Sequence, residues 1–283
     1  MTIEITRGAA LHGMLPDFRI GTGRQLVALD LDGTTLRHDG TLREPVAAAV
    51  RDTVAAGHEV VIATGRSMLS ALPVIGALGL DAGYAVCSNG AVTLQLNGGG
   101  AEIVERRTFH PRQVLDRLGS AFPGGALAVE RVGVGFDVNR PFPPGELEGR
   151  VRTVPWGRLV KRPTTRVTFC DPDTDVEVFA EHVGAMGLQG VNYAVGFTAW
   201  LDITALGVSK ASALEAVRQR VGVAPEATVA VGDQRNDVEM LAWAGCGVAM
   251  GNAPAEVAGV ADFVTGHVDD DGLVDVLRRL PRL

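Results

Sequence analysis

Short apolar runs alternate with longer segments of helical periodicity toward both ends of the chain. Strands are predicted at Gln25–Leu29, His58–Ala63, Tyr84–Cys87, Trp200–Ile203, Thr228–Val231 and Cys246–Met250. Helices are predicted at Arg43–Ala56, Ser67–Leu78, Ser209–Val221, Arg235–Ala244 and Asp271–Leu280. This alternation is typical of a mainly parallel sheet covered by helices, so we expect the α/β class with a doubly wound, mostly parallel Rossmann-like sheet.

The middle of the chain breaks this regularity. Between His110 and Phe197, candidate strands at 126–131, 134–138 and 165–170 mix with candidate helices at 111–119 and 173–186, and the periodicity is weaker. Residues 1–24 show no clear period. The sequence therefore predicts an N-terminal extension at 1–24, a core at 25–108 and 198–283, and an inserted α+β cap domain at 109–197.

Composition and charge exclude several classes of function. The 283 residues carry a net charge of −7, which disfavours a general nucleic-acid binder. We find no apolar run near the length of a membrane helix and no signal-peptide pattern, so we expect no membrane partner. The cysteines Cys87, Cys170 and Cys246 lie far apart and show no zinc spacing, which favours the reduced cytoplasm. We expect a monomer or a small homo-oligomer.

The basic residues are unevenly placed. Residues 106–166 hold twelve basic and five acidic side chains, a net charge of +7 in an otherwise acidic chain. Only Lys161 and Lys210 are lysine among the 26 basic residues. Arg158, Lys161 and Arg162 lie in a stretch without an acid, and we expect them either to hold an anionic group of a substrate or to form a solvated basic face.

Polar clusters follow four of the apolar runs, and they end at Thr34, Arg66, Asp237 and Asn252. In an open α/β sheet, ligands bind beyond the carboxyl ends of the strands. Four such clusters are therefore expected to line one crevice, which is harder to explain by helix capping than any single cluster is.

Asp30 and Asp32 stand two residues apart at the first strand end, so both carboxylates point to the same side of an extended chain. At about 4 Å and an effective dielectric constant of about 20, two such charges repel by about 4 kcal/mol. Asp233 would add a third carboxylate. The arrangement suits metal-assisted attack on a phosphate, with one carboxylate as nucleophile and the other as acid. An Asp-Gly turn with incidental acids remains the alternative.

Two further positions suit a phosphate. Thr64, which ends the second strand, can bind a phosphate oxygen together with backbone N–H groups such as that of Gly65, or it can cap a helix. Lys210 falls in the first turn of a helix, where a cation opposes the helix dipole. It is therefore expected to reach a phosphate or carboxylate, and the alternative is a solvated surface lysine.

The run Gly232–Asp237 ends a strand and opens a helix. Asp233 and Asp237 are four residues apart and would share a helical face if both were helical, and Asn236 adds an amide donor and an oxygen. These oxygens suit Mg²⁺, although acids at a helix N-terminus also act as caps.

Together the segments Asp30–Thr34 (DLDGT), Thr64, Lys210 and Gly232–Asp237 (GDQRND) resemble the four motifs of the haloacid dehalogenase (HAD) superfamily. The finer resemblance is to its Cof-like phosphatase branch, and it includes Ser88–Ala91, Gly207–Lys210, Met250–Ala253, Ala261–Val264 and Asp271–Gly272. It covers about residues 25–108 and 198–283. The middle of the chain matches only the size and place of the inserted cap of that branch.

The resemblance implies a Mg²⁺-dependent phosphomonoester hydrolase acting on a small phosphorylated metabolite, such as a sugar phosphate or a nucleotide or cofactor phosphate. Asp30 would form an aspartyl-phosphate, and Asp32 would act as acid and then base. Metal ligands would be Asp30, the backbone carbonyl of Asp32, and Asp233, with Asp237 supporting them. The residues holding the phosphoryl oxygens would be Thr64, Gly65, Lys210 and Asn236. Alternatives are a sugar phosphomutase on the same core and a non-catalytic protein that binds a phosphorylated ligand.

Overall fold

The structure is a computed structural model that describes residues 22–171, 174–188, 190–195 and 199–283. Its strands are β1 (Leu26–Leu29), β2 (Glu59–Ala63), β3 (Ala82–Cys87), β4 (Val92–Asn97), β5 (Ala101–Arg106), β6 (Ala126–Arg131), β7 (Gly135–Val138), β8 (Arg150–Thr153), β9 (Val167–Cys170), β10 (Val191–Val195), β11 (Trp200–Ala205), β12 (Thr228–Gly232), β13 (Cys246–Ala249) and β14 (Phe263–Val264). Its α-helices are α1 (Glu44–Ala55), α2 (Met68–Ala77), α3 (Arg112–Ala121), α4 (Trp156–Leu159), α5 (Val176–Met186), α6 (Lys210–Val221), α7 (Val238–Trp243), α8 (Ala255–Ala258) and α9 (Gly272–Leu277).

The described chain divides into two compact units, one holding residues 22–60 with 221–283 and the other holding the described residues between 61 and 220. The chain passes from one unit to the other within β2. The predicted N-terminal extension, 1–24, lies outside the described residues up to residue 21. Residues 172, 173, 189, 196 and 197 of the predicted cap, and residue 198 of the predicted core, also lie outside them.

In the first unit, the strands run in the order β14-β13-β12-β1, and every pair is parallel. On its other side β1 meets the beginning of β2, where the backbone N–H of Glu59 donates to the carbonyl of Gln25. All residues of β1, β12 and β13 are buried, as expected for parallel strands covered on both faces. The carboxyl end of β1 therefore lies where connections leave to opposite sides, the usual place for a ligand crevice.

In the second unit, β2 pairs in parallel with β3, and β3, β4 and β5 continue as antiparallel neighbours. A further sheet, here the six-stranded sheet, has the order β10-β11-β9-β6-β7-β8 and is antiparallel except between β7 and β8. One of its faces is apolar and packs against α3 and α5, where the rings of Phe169 and Phe179 stack at 5.3 Å. Helices and strands thus alternate as predicted, and the α/β class with a mixed Rossmann-like sheet is confirmed.

Several short elements were not predicted from the sequence: β8, β10, β14, α4 and α8. β8 is an edge strand in which two of four residues are arginine, so it lacks the alternating apolar pattern that indicates a strand. The predicted helix Arg235–Ala244 begins instead with a 3₁₀ turn at Arg235–Asp237, followed by α7. None of the helices within the described ranges has the length and hydropathy that a membrane crossing requires.

Candidate active site

The chain turns sharply after β1, and this turn places Asp30 at the carboxyl end of the strand. The backbone N–H of Asp30 still donates to Val231 of β12, over 3.0 Å, so the residue is held as part of the sheet. Its carbonyl accepts a hydrogen bond of 2.6 Å from the hydroxyl of Thr35. The Asp30 side chain is buried, whereas Asp32, two residues later, is partly exposed.

Gly33 lies directly against Asp233. Its φ is +81°, in the left-handed region that favours glycine, and a Cβ at this position would stand 2.2 Å from Oδ2 of Asp233. The other carboxylate oxygen of Asp233 accepts a hydrogen bond of 3.0 Å from the hydroxyl of Thr34. The DLDGT segment and Asp233 therefore meet, as the sequence predicted, and the absence of a side chain at Gly33 permits the contact.

Asp237 stabilises the turn that follows β12. Its Oδ2 accepts hydrogen bonds from the backbone N–H groups of Asp233, at 3.0 Å, and Gln234, at 2.9 Å. A Cβ at Gly232 would lie 2.5 Å from Cγ of Asp237, so a glycine is needed here as well. Asn236 sits between these residues in the 3₁₀ turn and is partly exposed.

Three buried carboxylates form one cluster. Asp30, Asp233 and Asp237 each offer an oxygen, and these oxygens lie within 4.8 Å of one another. Like charges this close repel by several kcal/mol unless a cation or a proton lies between them. The donor set consists of oxygen alone, which suits a small hard cation such as Mg²⁺.

Asn252 is a functional candidate that the sequence placed at the predicted crevice without giving it a specific role. Its Nδ2 donates to the carbonyl of Gly33 at 2.8 Å and to Oδ2 of Asp233 at 3.1 Å. Its Oδ1 accepts from the backbone N–H of Val268 at 3.0 Å. The side chain thus holds the carboxylate oxygen of Asp233 that Thr34 does not bind. The feature of the sequence that indicated Asn252 was its position shortly after the predicted strand Cys246–Met250.

Thr64 ends β2 in the second unit and is fully buried. Its hydroxyl accepts a hydrogen bond of 3.0 Å from the backbone N–H of Arg66, a local turn of the kind that a capping threonine makes. The same hydroxyl keeps its own proton to donate, so this bond leaves a role in binding an anion open. Gly65, next in the chain, is half-buried.

A turn of unusual backbone conformation adjoins Thr64. Ser88 and Asn89 both have positive φ, at 50° and 53°, and the backbone N–H of Asn89 donates to the carbonyl of Thr64 over 3.1 Å. A Cβ at Gly90 would stand 2.1 Å from the carbonyl oxygen of Ser209, at the start of α6. The turn 88–90 thus lies between the Thr64 loop and the beginning of α6, and such backbone strain is common at functional sites.

Lys210 opens α6 and is fully buried, which excludes the alternative of a solvated surface lysine. Ser209 caps the helix, because its hydroxyl accepts from the backbone N–H of Ser212 at 3.3 Å and the Ser212 hydroxyl accepts from the backbone N–H of Ser209 in return, at 2.9 Å. A buried ammonium is costly unless anionic groups or hydrogen bonds compensate it, so its place in the first helical turn indicates a specific function.

A buried charge cluster ties the Thr64 loop to the six-stranded sheet. Arg166 donates from Nη1 to the carbonyl of Gly65. Its guanidinium also lies 3.6 Å from a carboxylate oxygen of Glu130 and 3.7 Å from one of Asp202. Burial lowers the pKa of Arg166, but Asp202 and Glu130 outweigh that effect and hold the pKa above its usual value. Arg166 ends the basic segment 106–166, and nothing in the sequence indicated a role for Glu130 or Asp202.

The family model described as haloacid dehalogenase-like hydrolase matches residues 27–121 and 157–277. The chain is 30% identical over 255 residues to a phosphoglycolate phosphatase of Natronomonas pharaonis, covering 89% of this chain and 96% of that protein. It is 28% identical over 258 residues to a 5-amino-6-(5-phospho-D-ribitylamino)uracil phosphatase of Bacillus subtilis, covering 90% and 94%.

A solved haloacid dehalogenase-like hydrolase from B. subtilis shares the fold, with a TM-score of 0.77 and 21% identity over 90% of this chain and 99% of its own. These matches confirm the resemblance to the Cof-like branch that the motifs indicated. The chain therefore belongs to the haloacid dehalogenase-like hydrolases, and it is a phosphatase of that family.

Proposed function

We propose that this phosphatase hydrolyses the monoester of a small phosphorylated metabolite with the help of Mg²⁺, and that Asp30 is its nucleophile. The observation that carries the proposal is the cluster of three buried carboxylates at the ends of β1 and β12. A fold gains nothing from three buried like charges as such, whereas phosphoryl transfer requires a cation beside the nucleophile.

The proposed metal ligands are Asp30, the backbone carbonyl of Asp32, and Asp233. When bound, Mg²⁺ supplies positive charge that offsets these carboxylates and a dianionic phosphate. Asp237 is proposed to support the ligands, because one of its oxygens already accepts two backbone N–H groups. The hydrogen bonds from Thr34 and Asn252 hold Asp233 in one orientation.

In the proposed reaction, a carboxylate oxygen of Asp30 attacks phosphorus and the bond to the leaving oxygen breaks. Asp32 gives its proton to that oxygen, which leaves as an alcohol, and the phosphoryl group remains on Asp30. Asp32 then takes a proton from water, whose oxygen attacks phosphorus. The bond to Asp30 breaks, and inorganic phosphate and the starting carboxylate result. The partial exposure of Asp32 is compatible with this exchange of protons.

Thr64, Gly65, Lys210 and Asn236 are proposed to bind the phosphoryl oxygens. The full burial of Lys210 and the spare hydroxyl proton of Thr64 support these roles. We further propose that residues 109–197 form the inserted cap, that 25–108 and 198–283 form the core, and that the protein is cytoplasmic. The two curated relatives are named for small phosphorylated metabolites, which supports the same class of substrate here.

The test is phosphate release from a panel of phosphorylated metabolites, including phosphoglycolate and 5-amino-6-(5-phospho-D-ribitylamino)uracil, with Mg²⁺ and with a chelator. We expect release only with Mg²⁺, and none from Asp30→Asn, because an amide is a poor nucleophile. Asp39→Asn, an exposed acid in the loop after β1, is the matched control and should keep the parent rate. Unchanged hydrolysis in Asp30→Asn with a parent-like melting temperature would refute the assignment.

A further inference from the structure

A basic cavity opens on the six-stranded sheet, and the function proposed above makes no use of it. Its volume is about 710 Å³, within the range of cavities that hold small ligands. Five cationic side chains and one carboxylate line it: Arg131, Arg152, Arg158, Lys161, Arg162 and Asp137.

Strand alternation places this cavity on the face of the sheet that α3 and α5 cover. Glu130 and Arg131 are consecutive in β6, so their side chains point to opposite faces. Glu130 accepts a hydrogen bond from Ser88, whereas Arg131 donates one to Asp137. Asp137 pairs across the strands with Val129, so both side chains lie on the same face of the sheet. Val129 belongs to the apolar core beneath α3 and α5. The cavity therefore lies on the face opposite to the contacts with Gly65 and Ser88, away from the groups that we assign to the reacting phosphate.

Asp137 orients two of the arginines. Its Oδ2 accepts from Nε of Arg131 at 2.9 Å, and its Oδ1 accepts from Nη2 and Nε of Arg152 at 2.8 and 3.2 Å. Burial raises the pKa of Asp137, but the hydrogen bonds from the two arginines outweigh this and hold it below the usual value. The carboxylate thus stays ionised at neutral pH and fixes both guanidinium groups at the wall of the cavity.

The other three cations lack such a partner among the residues that the structure describes. Arg158, Lys161 and Arg162 are exposed, and within the described ranges none of them has a carboxylate at ion-pair distance. Like charges gathered around one concave surface repel one another until an anion enters. A long polyanion such as RNA fits less well, because the remainder of the chain is strongly acidic.

We propose that the basic cavity binds a small oxyanion carrying several negative charges. Guanidinium groups that are already oriented can bind two oxygens of a phosphate or of a carboxylate equally well. The expected ligand is therefore a polyphosphate or a polycarboxylate, which present such oxygens in the same way. The site is independent of the proposed catalytic function, and its occupancy does not require Mg²⁺.

Isothermal titration calorimetry on the full chain, in chelator and at low ionic strength, tests the proposal with tripolyphosphate and citrate as separate probes. We expect saturable binding that the triple variant Arg158→Ala, Lys161→Ala, Arg162→Ala weakens about tenfold or more, as loss of three charge contacts implies. The stronger of the two probes identifies which kind of oxyanion the cavity prefers.

The matched control removes the same charge elsewhere, through Arg106→Ala, Arg112→Ala and Arg282→Ala, three exposed arginines that do not line the cavity. The affinity of this control variant for either probe should fall by less than about twofold. Equal losses in the two triple variants, or no saturable binding by the parent, would overturn the proposal. Binding that disappears in Lys210→Met but survives in the cavity variant would also overturn it. The anion would then be bound by the residues that we assign to the reacting phosphate, and not by the cavity.

Asp137→Asn separates a built site from simple charge attraction. The substitution makes the cavity more positive but releases both arginines. If the oriented arginines form the binding site, the variant should bind the anion more weakly than the parent does. If net charge alone attracts the anion, the variant should bind it more tightly. A melting temperature is recorded first, and if this buried variant unfolds, the exposed triple variants decide the outcome alone.

Discussion

Ser88 donates a hydrogen bond from Oγ to Oε1 of Glu130 over 2.9 Å, and both side chains are buried. Ser88 belongs to the strained turn beside Thr64, and Glu130 belongs to β6 of the six-stranded sheet. The other Glu130 oxygen accepts from the Thr165 hydroxyl at 3.0 Å and lies near Arg166. One buried carboxylate therefore connects the Thr64 region to the sheet through neutral and charged partners.

Glu130→Gln should destabilise the protein strongly. The variant leaves Arg166 buried with one carboxylate fewer, and removal of one partner from a buried ion pair costs about 3–5 kcal/mol. Urea unfolding measures the difference. Ser88→Ala should cost only about 1 kcal/mol, because it removes a single hydrogen bond to a group that keeps other partners. Exposed Glu102→Gln in β5 serves as control, and a Glu130 effect no larger than that of Glu102 would show that the cluster contributes nothing.

Gly33→Ala should lower kcat/KM by about a hundredfold or more, since displacement of a catalytic group by about 1 Å has effects of this size. The new Cβ would stand 2.2 Å from Oδ2 of Asp233, so Asp233 must move. Steady-state phosphate release with Mg²⁺ measures the change.

Gly40→Ala provides a matched comparison. Gly40 has φ of +82°, nearly the same as Gly33, but no atom of the described part of the chain lies within 4 Å of its Cβ position. It should cost about 1 kcal/mol of stability and leave turnover unchanged, because only the backbone conformation is penalised. If the two alanine variants lost activity equally, backbone strain would explain the effect and the contact with Asp233 would not matter.

Asn252→Ala should weaken activation by Mg²⁺ about 10- to 100-fold, the usual effect of removing a residue that orients a metal ligand. The side chain donates to Oδ2 of Asp233 and to the carbonyl of Gly33, so its loss frees both. The Mg²⁺ concentration at half-maximal rate is the measurement. Asn97→Ala, at the exposed end of β4, is the control. A reduced maximal rate with an unchanged Mg²⁺ requirement would contradict this role.

The sequence was most informative where chemistry follows a strand end. Asp30, Thr34 and Asp233 could be placed near one another because carboxyl ends of parallel strands share one edge of a sheet. The same rule placed Asn252 at this edge, but the sequence did not indicate which residue it would contact. An asparagine after a glycine is also typical of an ordinary turn.

The buried cluster around Arg166 could not be predicted. Glu130 and Asp202 lie on different strands, far from Arg166 in sequence, and each stands among apolar residues where a single acid looks like a solvent-facing position. Only the pairing of β6, β9 and β11 brings the three charges together. The same holds for Asp137, whose role depends on the register between β7 and β8.

Burial of the thiols should make the protein sensitive to alkaline pH. Burial raises the pKa of Cys87 and of Cys246 to about 12, from an ordinary value of 9.0. Between these values the folded chain keeps protons that the unfolded chain releases. The free energy of unfolding should therefore be intact below pH 9 and fall above it, by up to about 1.4 kcal/mol per pH unit for each thiol.

The double variant Cys87→Ala, Cys246→Ala isolates this contribution. Its unfolding free energy at neutral pH is lower because two buried side chains are shortened, but its decline above pH 9 should be shallower than that of the parent. In the parent at neutral pH, iodoacetamide should label the three free cysteines only after addition of denaturant, since each is buried. Equal alkaline slopes in the two proteins would mean that the thiols ionise as readily in the folded chain as in the unfolded one.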